Sequence, residues 1–295
     1  MPHRIIPALA IAFAFAPAQV TETSVLLLVE SPAAPYQQAA QGFEQSFAAG
    51  GYTRIELDPD PQIRDVRLAG LASPRLLVVI GTEAARAARR RWPTTPLVYC
   101  LALHPRQNAL TGPATGGVSM TVDPADQISV LLKLVPGLQR IGVVYDEALA
   151  AEPQLRSISR LVRRQVRNPR EAARAIQELV PQVDAFWMLL DPVIANPANF
   201  RLLADLSLRH KVPILAPAAP FVEAGALVSV GPDYQRAGRR AAEIAQLVLR
   251  GRRAGDFSEP PPAYVVTING RVARQLGIAI PRDLRANILS PQGAP

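Results

Sequence analysis

The side chains that offer chemistry in this sequence stand one at a time, each just beyond a short apolar run. Gly81-Thr82-Glu83 follows Arg75–Ile80 (RLLVVI) and opens an Ala- and Arg-rich helical stretch. Thr82 reads there as a helix N-cap with free backbone N–H groups beside it. Such an end is either simply a capped helix or a seat for a carboxylate. Asp191 follows Ala185–Leu190 (AFWMLL) and precedes Pro192. Its carboxylate is expected to face Thr82 across a cleft and pair with a ligand ammonium; the alternative is a turn residue before the proline. Tyr36 stands between the first apolar run and the first helix, where its ring either packs or lines the cleft. Phe221 and Glu223 follow a later strand and are expected to line a pocket. Asp233 reads as the N-cap of a long helix, and Tyr234 beside it as a ring that reaches the cleft. His104, after the fourth strand, is expected to be structural or exposed rather than catalytic. Trp92 and Trp187, at a helix end and in mid-strand, read as core or interface residues.

No G-x-G-x-x-G, Walker loop, G-x-S-x-G or H-E-x-x-H is present. A Ser/His/Asp triad would have to use His104 or His210, and neither has a recognisable partner. Neither catalysis nor a cofactor is expected. The single cysteine, Cys100, excludes an intramolecular disulfide and any Cys-rich metal site, and the three histidines, one at His3, leave little for a metal. The 32 basic residues outnumber the 24 acidic ones, for a net charge of +8, and only Lys133 and Lys211 are lysines. The clusters Arg86–Arg91, Arg160–Arg167 and Arg239–Arg253 fall at helical spacing without the interleaved aromatics that base stacking needs, so they read as solvated faces and no nucleic-acid partner is expected.

The elements that must position these residues are short. Ser24–Glu30, Arg75–Ile80, Pro96–Ala102 and Gly116–Thr121 read as strands, the first three buried on both faces, with Tyr52–Leu57 an edge strand. Helices fall between them, the first carrying Tyr36, Ala40, Phe43 and Phe47 on one face. The alternation then restarts with a helix over Asp123–Val135 and strands over Arg140–Tyr145, Ala185–Leu190, Val212–Ala216 and Ala226–Val230. The long helix Tyr234–Arg250 and the strand Tyr264–Ile268 are surplus to the second set and imply that the chain crosses back. The pattern predicts an α/β protein of two doubly wound parallel sheets facing each other over a ligand cleft at the carboxyl ends of their strands. Between expected helices over Pro153–Arg164 and Pro169–Val180 there is no room for a strand, so the second lobe is expected to lack an edge strand.

At 49% hydrophobic and 19% charged residues, the chain is able to bury a core. Met1–Arg4 is positive, Ile5–Phe15 apolar, and Ala16-Pro17-Ala18 a small-x-small site, the pattern of a cleaved signal peptide. The apolar run is too short to span ~30 Å of hydrocarbon, and no later stretch is long and apolar enough to insert in a membrane. Export to a periplasm, with a mature start near Gln19, is expected. Residues 1–18 then form the leader, 19–120 with about 232–262 the first lobe, and 121–231 with about 268–295 the second.

Several short stretches together resemble the bacterial ABC-transporter substrate-binding proteins of the type 1 periplasmic-binding fold, in the branch with tryptophan- and tyrosine-type binders. They are Gly42-Phe43, Thr115-Gly116-Gly117-Val118-Ser119, Leu131–Tyr145, Val183-Asp184-Ala185, Val222–Ala226, Gly231–Gly238, Asn269, Gly277-Ile278 and Ile280-Pro281. The resemblance runs from about Ser24 to Pro281. It implies three hinge crossings, closure on a small organic ligand, amino-acid-like or an aromatic acid, and delivery to an ABC permease in the inner membrane. It also implies a pocket built from the loops holding Tyr36, Gly81-Thr82, Thr115-Gly116, Asp191, Phe221 and Tyr234. Donors at Thr82 and Thr115 would hold an anionic end and Asp191 a cationic one. The family commonly has Asp-Pro after the fourth strand, where this chain has His104-Pro105. That departure and the expected loss of a strand support a rival reading, a sensor or assembly partner with a degraded pocket.

Overall fold

The structure is a computed structural model that describes residues 25–48, 51–149 and 158–289. The expected leader lies outside the described residues. Strand and helix alternate as β1 (Val25–Val29), α1 (Ala34–Ser46), β2 (Tyr52–Glu56), α2 (Pro61–Ala69), β3 (Leu76–Ile80), α3 (Thr82–Arg91), β4 (Leu97–Ala102) and β5 (Thr115–Ser119). The chain then passes into a second lobe of α4 (Pro124–Leu134), β6 (Ile141–Asp146), β7 (Leu161–Val166), α5 (Pro169–Leu179), β8 (Ala185–Trp187), α6 (Pro197–His210), β9 (Ile214–Ala216), α7 (Ala219–Glu223) and β10 (Val228–Pro232). It returns to the first lobe for α8 (Tyr234–Leu249) and β11 (Ser258–Glu259), and ends in the second with β12 (Tyr264–Asn269), α9 (Gly270–Leu276) and β13 (Asn287–Leu289).

The first sheet has the order β11-β5-β4-β3-β1-β2 and the second β13-β12-β10-β9-β8-β6-β7. Every pairing is parallel except β10 with β12. β1 (VLLLV), β3 (LLVVI) and β4 (LVYCLA) are buried at every position, because helices cover both faces. On one face Val25, Leu27, Val78 and Val98 pack with α1 and α8. On the other, Leu26, Leu28, Leu77 and Val79 pack with α2 and α3. The second lobe repeats this with a core on each side of its sheet.

The expected loss of an edge strand is overturned. Leu161–Val166 forms β7, parallel to β6 along its whole length from Ile141↔Leu161 to Asp146↔Val166. Only Leu161 and Val166 of LVRRQV are buried, and Arg164 and Gln165 are exposed. An edge strand needs one covered face and gains protection against further pairing from charged side chains. Its composition therefore mimics a solvated helix. Residues 153–157 of the expected helix lie outside the described residues; 158–164 are not helical.

Three segments join the lobes: Met120–Asp123 between β5 and α4, Asp233 between β10 and α8, and Pro260–Ala263 between β11 and β12. Second-lobe pairing resumes at Tyr264, ahead of the expected boundary near 268. The return is fixed by α8 lying along α1 at backbone contact. A Cβ on Gly42 would come within 2.0 Å of the Gln235 carbonyl oxygen, and one on Gly238 within 1.9 Å of the Ala39 carbonyl oxygen. Two motif glycines of the resemblance are thus packing residues. No described helix is long and apolar enough to cross a membrane.

Candidate ligand-binding site

A cavity of about 300 Å³ opens between the two lobes. The first lobe contributes His104-Pro105-Arg106 from the β4–β5 connection and Ser119-Met120-Thr121 from the end of β5. The second contributes Gln127 of α4, Trp187–Leu190 at the carboxyl end of β8, and Pro217-Ala218 after β9. Two crossing segments touch it through Asp123 and Pro260, and Pro232 and Tyr234 flank the third. The wall is therefore made of strand carboxyl ends and hinges, so a solute in it contacts the parts that move in a lobe closure.

One buried relay ties this wall to the first crossing. The Trp187 indole N–H donates to Gln127 Oε1 at 3.0 Å, and Gln127 Nε2 donates to the Val122 carbonyl at 2.8 Å. Trp187 is 1% exposed. The expectation of a core tryptophan holds for its packing and misses its place on the cavity wall.

Of the residues singled out in the sequence, Tyr234 lies on the wall. It opens α8 behind Asp233, whose side chain accepts from the Arg236 N–H at 2.9 Å. Burial raises the Tyr234 phenol above its ordinary value. Tyr36 lies nearby in the first turn of α1 rather than in a loop, and its hydroxyl donates to Glu30 Oε1 at 3.1 Å. Burial first and then the Glu30 charge push the Tyr36 phenol up.

Gly81-Thr82 does not present an open anion seat. Glu30, on the residue after β1, places Oε2 against the backbone N–H groups of Glu83 at 2.6 Å and Ala84 at 3.3 Å. Gly81 is the N-cap, at φ +108°, and a Cβ on it would lie 2.3 Å from that oxygen. Thr82 is the first helical residue, and its hydroxyl accepts from the Leu103 N–H at 2.9 Å. The chain's own carboxylate fills the positive end of α3.

Thr115 and Gly116 lie at the opposite end of the sheet, because they begin β5 and pair with Leu97 and Val98 at the start of β4. The Thr115 hydroxyl accepts from Arg89 Nη2 at 2.6 Å, and Arg89 also donates to the carbonyls of Trp92, Pro93, Thr95 and Ala114. A Cβ on Gly116 would come within 1.9 Å of the Ala254 carbonyl oxygen. Asp191 is 2% exposed, with Oδ2 accepting from the Asp146 N–H at 2.7 Å and Oδ1 from the Val193 N–H at 2.8 Å. It ties the ends of β6 and β8 together as a turn residue and is absent from the cavity wall. Phe221, in α7, packs against Phe200 of α6 with ring centroids 5.2 Å apart and planes tilted by 59°, against the core and absent from the cavity wall.

The sequence profile described as "ABC transporter substrate binding protein" matches residues 24–289. The chain belongs to that family. Membership implies a small-molecule ligand and an ABC permease as partners. A curated relative, the tyrosine-binding protein of Clostridioides difficile strain R20291, is 26% identical over 255 residues, covering 78% of this chain and 73% of the relative. A Streptococcus pneumoniae ABC domain in complex with L-Trp is 21% identical and superposes with a TM-score of 0.67 over 91% of this chain and 100% of that one. A ligand-free, open substrate-binding protein with adhesive properties from Clostridium difficile is also 21% identical, with a TM-score of 0.70 over 90% of this chain and 97% of that one. The fold is that of the type 1 periplasmic-binding proteins.

For this substrate-binding protein the sequence reading misses most of the wall: Arg106, Ser119, Gln127, Leu189 and Ser258 are not among its site candidates, and His104 enters as structural or exposed and as a departure from the family's Asp-Pro. The usable signal was position. His104-Pro105-Arg106 and Leu189-Leu190 follow the apolar strands β4 and β8, at the ends where parallel sheets present ligand loops.

Proposed function

We propose that this chain is an exported solute-binding protein that captures an amino-acid-like or aromatic organic acid and delivers it to an ABC permease through closure of its lobes, without catalysis. The observation that carries the reading is the interlobe cavity. Its size stands at the lower end of ligand pockets, ~300–1,000 Å³, which suits a small solute. Met120, Leu149, Leu189 and Val230 offer an apolar bed, while Ser119, Thr121, Tyr234 and Arg106 offer polar contacts. Tyrosine, the ligand that names the curated relative, has this mixed character. A ligand touching both lobes binds the closed arrangement better than the open one and shifts the population towards it. The rival reading of a degraded pocket loses one support, since β7 is present.

Melting the protein against a panel of amino acids and aromatic acids tests the reading. A binder at a hundred times its Kd adds about 2.7 kcal/mol, and Tm rises by roughly 5–10 °C. In a Trp92→Phe background the same ligands should alter the emission of Trp187, which lines the cavity. No shift with any member of the panel rejects this ligand class. Export is tested separately: sequencing of periplasmic material is expected to begin at Gln19 or a close neighbour, because Ala16 and Ala18 satisfy the small-residue rule for cleavage. A chain retaining Met1 in the cytoplasm overturns the localisation.

A further inference from the structure

We infer that Arg106 holds the anionic end of the ligand and that the cleft accordingly selects carboxylate-bearing solutes over their amine counterparts. This rests on the ligand reading above and adds to it the residue and the charge. The first ground is how the chain delivers Arg106. β4 and β5 pair up to Cys100↔Val118 and then at Ala102↔Ser119, so Leu101 is an extra residue in the ladder. It takes φ +57°, and His104 and Ala109 follow at +43° and +54°. Among the described non-glycine residues only Lys211 shares that region, and it does so at a helix C-cap. Side chains rarely adopt this conformation outside such caps, and bulges and strained residues concentrate where a protein must aim a side chain.

The strained segment is also held. The Leu103 N–H donates to the Thr82 hydroxyl at 2.9 Å. Asn108 Nδ2 donates to the carbonyls of Leu103 and His104 at 2.7 and 3.2 Å, and the Leu110 N–H to that of Pro105 at 2.8 Å. Each bond closes the loop on itself or on α3, so Arg106 reaches the cavity from a rigid base. A fixed base lowers the ordering cost of binding.

The second ground is the charge left on the wall. Glu259 accepts from Arg240 Nε and Nη2 at 3.2 and 2.9 Å, so its charge is compensated. Asp123 spends Oδ1 on the Ala125 N–H at the start of α4. Near the strand ends, Asp191, Glu30 and Asp233 are tied to backbone N–H groups, and Glu147 pairs with Arg167. Arg106 is exposed; its carbonyl accepts from the Ala109 N–H at 3.3 Å, and its guanidinium makes no ion pair or hydrogen bond with the described residues. An arginine beside an apolar bed matches a carboxylate through paired N–H donors.

Calorimetry on the full mature chain tests this with tyrosine, its acid analogue 3-(4-hydroxyphenyl)propionate and its amine analogue tyramine, and with the matching indole trio. The acid analogue is expected to bind and the amine at least tenfold more weakly. Arg106→Gln should weaken the acid about ten- to a hundredfold, the range of a charge-assisted hydrogen bond, and leave any amine binding unchanged. Arg106→Lys should restore part of the loss. An amine that binds as well as the acid overturns the inference while the capture reading stands. So does an Arg106→Gln chain that weakens both analogues alike or neither. If no member of either trio binds the wild-type chain, the aromatic ligand class fails and the assignment of Arg106 fails with it.

Discussion

Gly238→Val should be the most damaging single substitution in the first lobe, lowering Tm by roughly 10 °C. The reason is covalent geometry. The atom that a Cβ at Gly238 would meet at 1.9 Å is the backbone oxygen of Ala39, in the middle of α1. A flexible side chain could turn aside, but a helical carbonyl cannot move without its helix. Gly42 makes the reciprocal approach to the Gln235 carbonyl at 2.0 Å, so α1 and α8 meet backbone to backbone. Forcing them apart opens the core of Ala39, Phe43, Ala237, Ala241 and Ile244. Overpacking costs typically 1–3 kcal/mol and more where backbone must shift, which at ~2–4 °C per kcal/mol gives the stated fall. Gly70→Ala is the control. Gly70 has φ −75° and no atom nearer than 3.8 Å to a new Cβ, so its Tm should hold or rise slightly. An unchanged Tm for Gly238→Val would refute the close approach.

Asp191→Asn should lower stability by ~1.5–3 kcal/mol and change ligand affinity less than threefold. Each carboxylate oxygen accepts one backbone N–H in a site only 2% exposed. The amide keeps one acceptor and turns an NH2 group towards the other N–H, leaving a buried donor unpaired. Thermal melting reads the first effect and calorimetry with a ligand from the panel the second. A ligand role for Asp191 requires the reverse, near-normal melting with binding weakened ten- to a hundredfold.

These two positions show how far the sequence could be read. Gly238 stood in a stretch whose resemblance marked the family but gave no reason for the glycine; the reason is a helix 196 residues away in sequence, Gly42 being its counterpart. Asp191 does follow a buried strand, and both its carboxylate oxygens accept backbone N–H groups there. A carboxylate after a strand is equally suited to a ligand and to a turn, and the choice depends on whether the Asp146 N–H lies in reach. Thr82 failed for the same reason. The free N–H groups beside it were a sound local inference, and a carboxylate from the loop after β1 had taken them. Thr115 and Gly116 failed differently: β5 starts at them, so they sit at the far end of the sheet from the cavity.

The sequence by itself determined the repeated strand–helix order, the buried strands β1, β3 and β4, the two-lobed α/β class and the family, because each follows from local composition and from the order of short motifs along the chain. It could not determine β7, whose arginine-rich strand forms only because β6 offers an open edge. Nor could it determine the wall of the cleft. Local pattern fixes which side chains are near a strand end, but only the packed chain decides which of their polar groups are consumed by neighbouring backbone and which residues, Arg106 among them, line the space between the lobes.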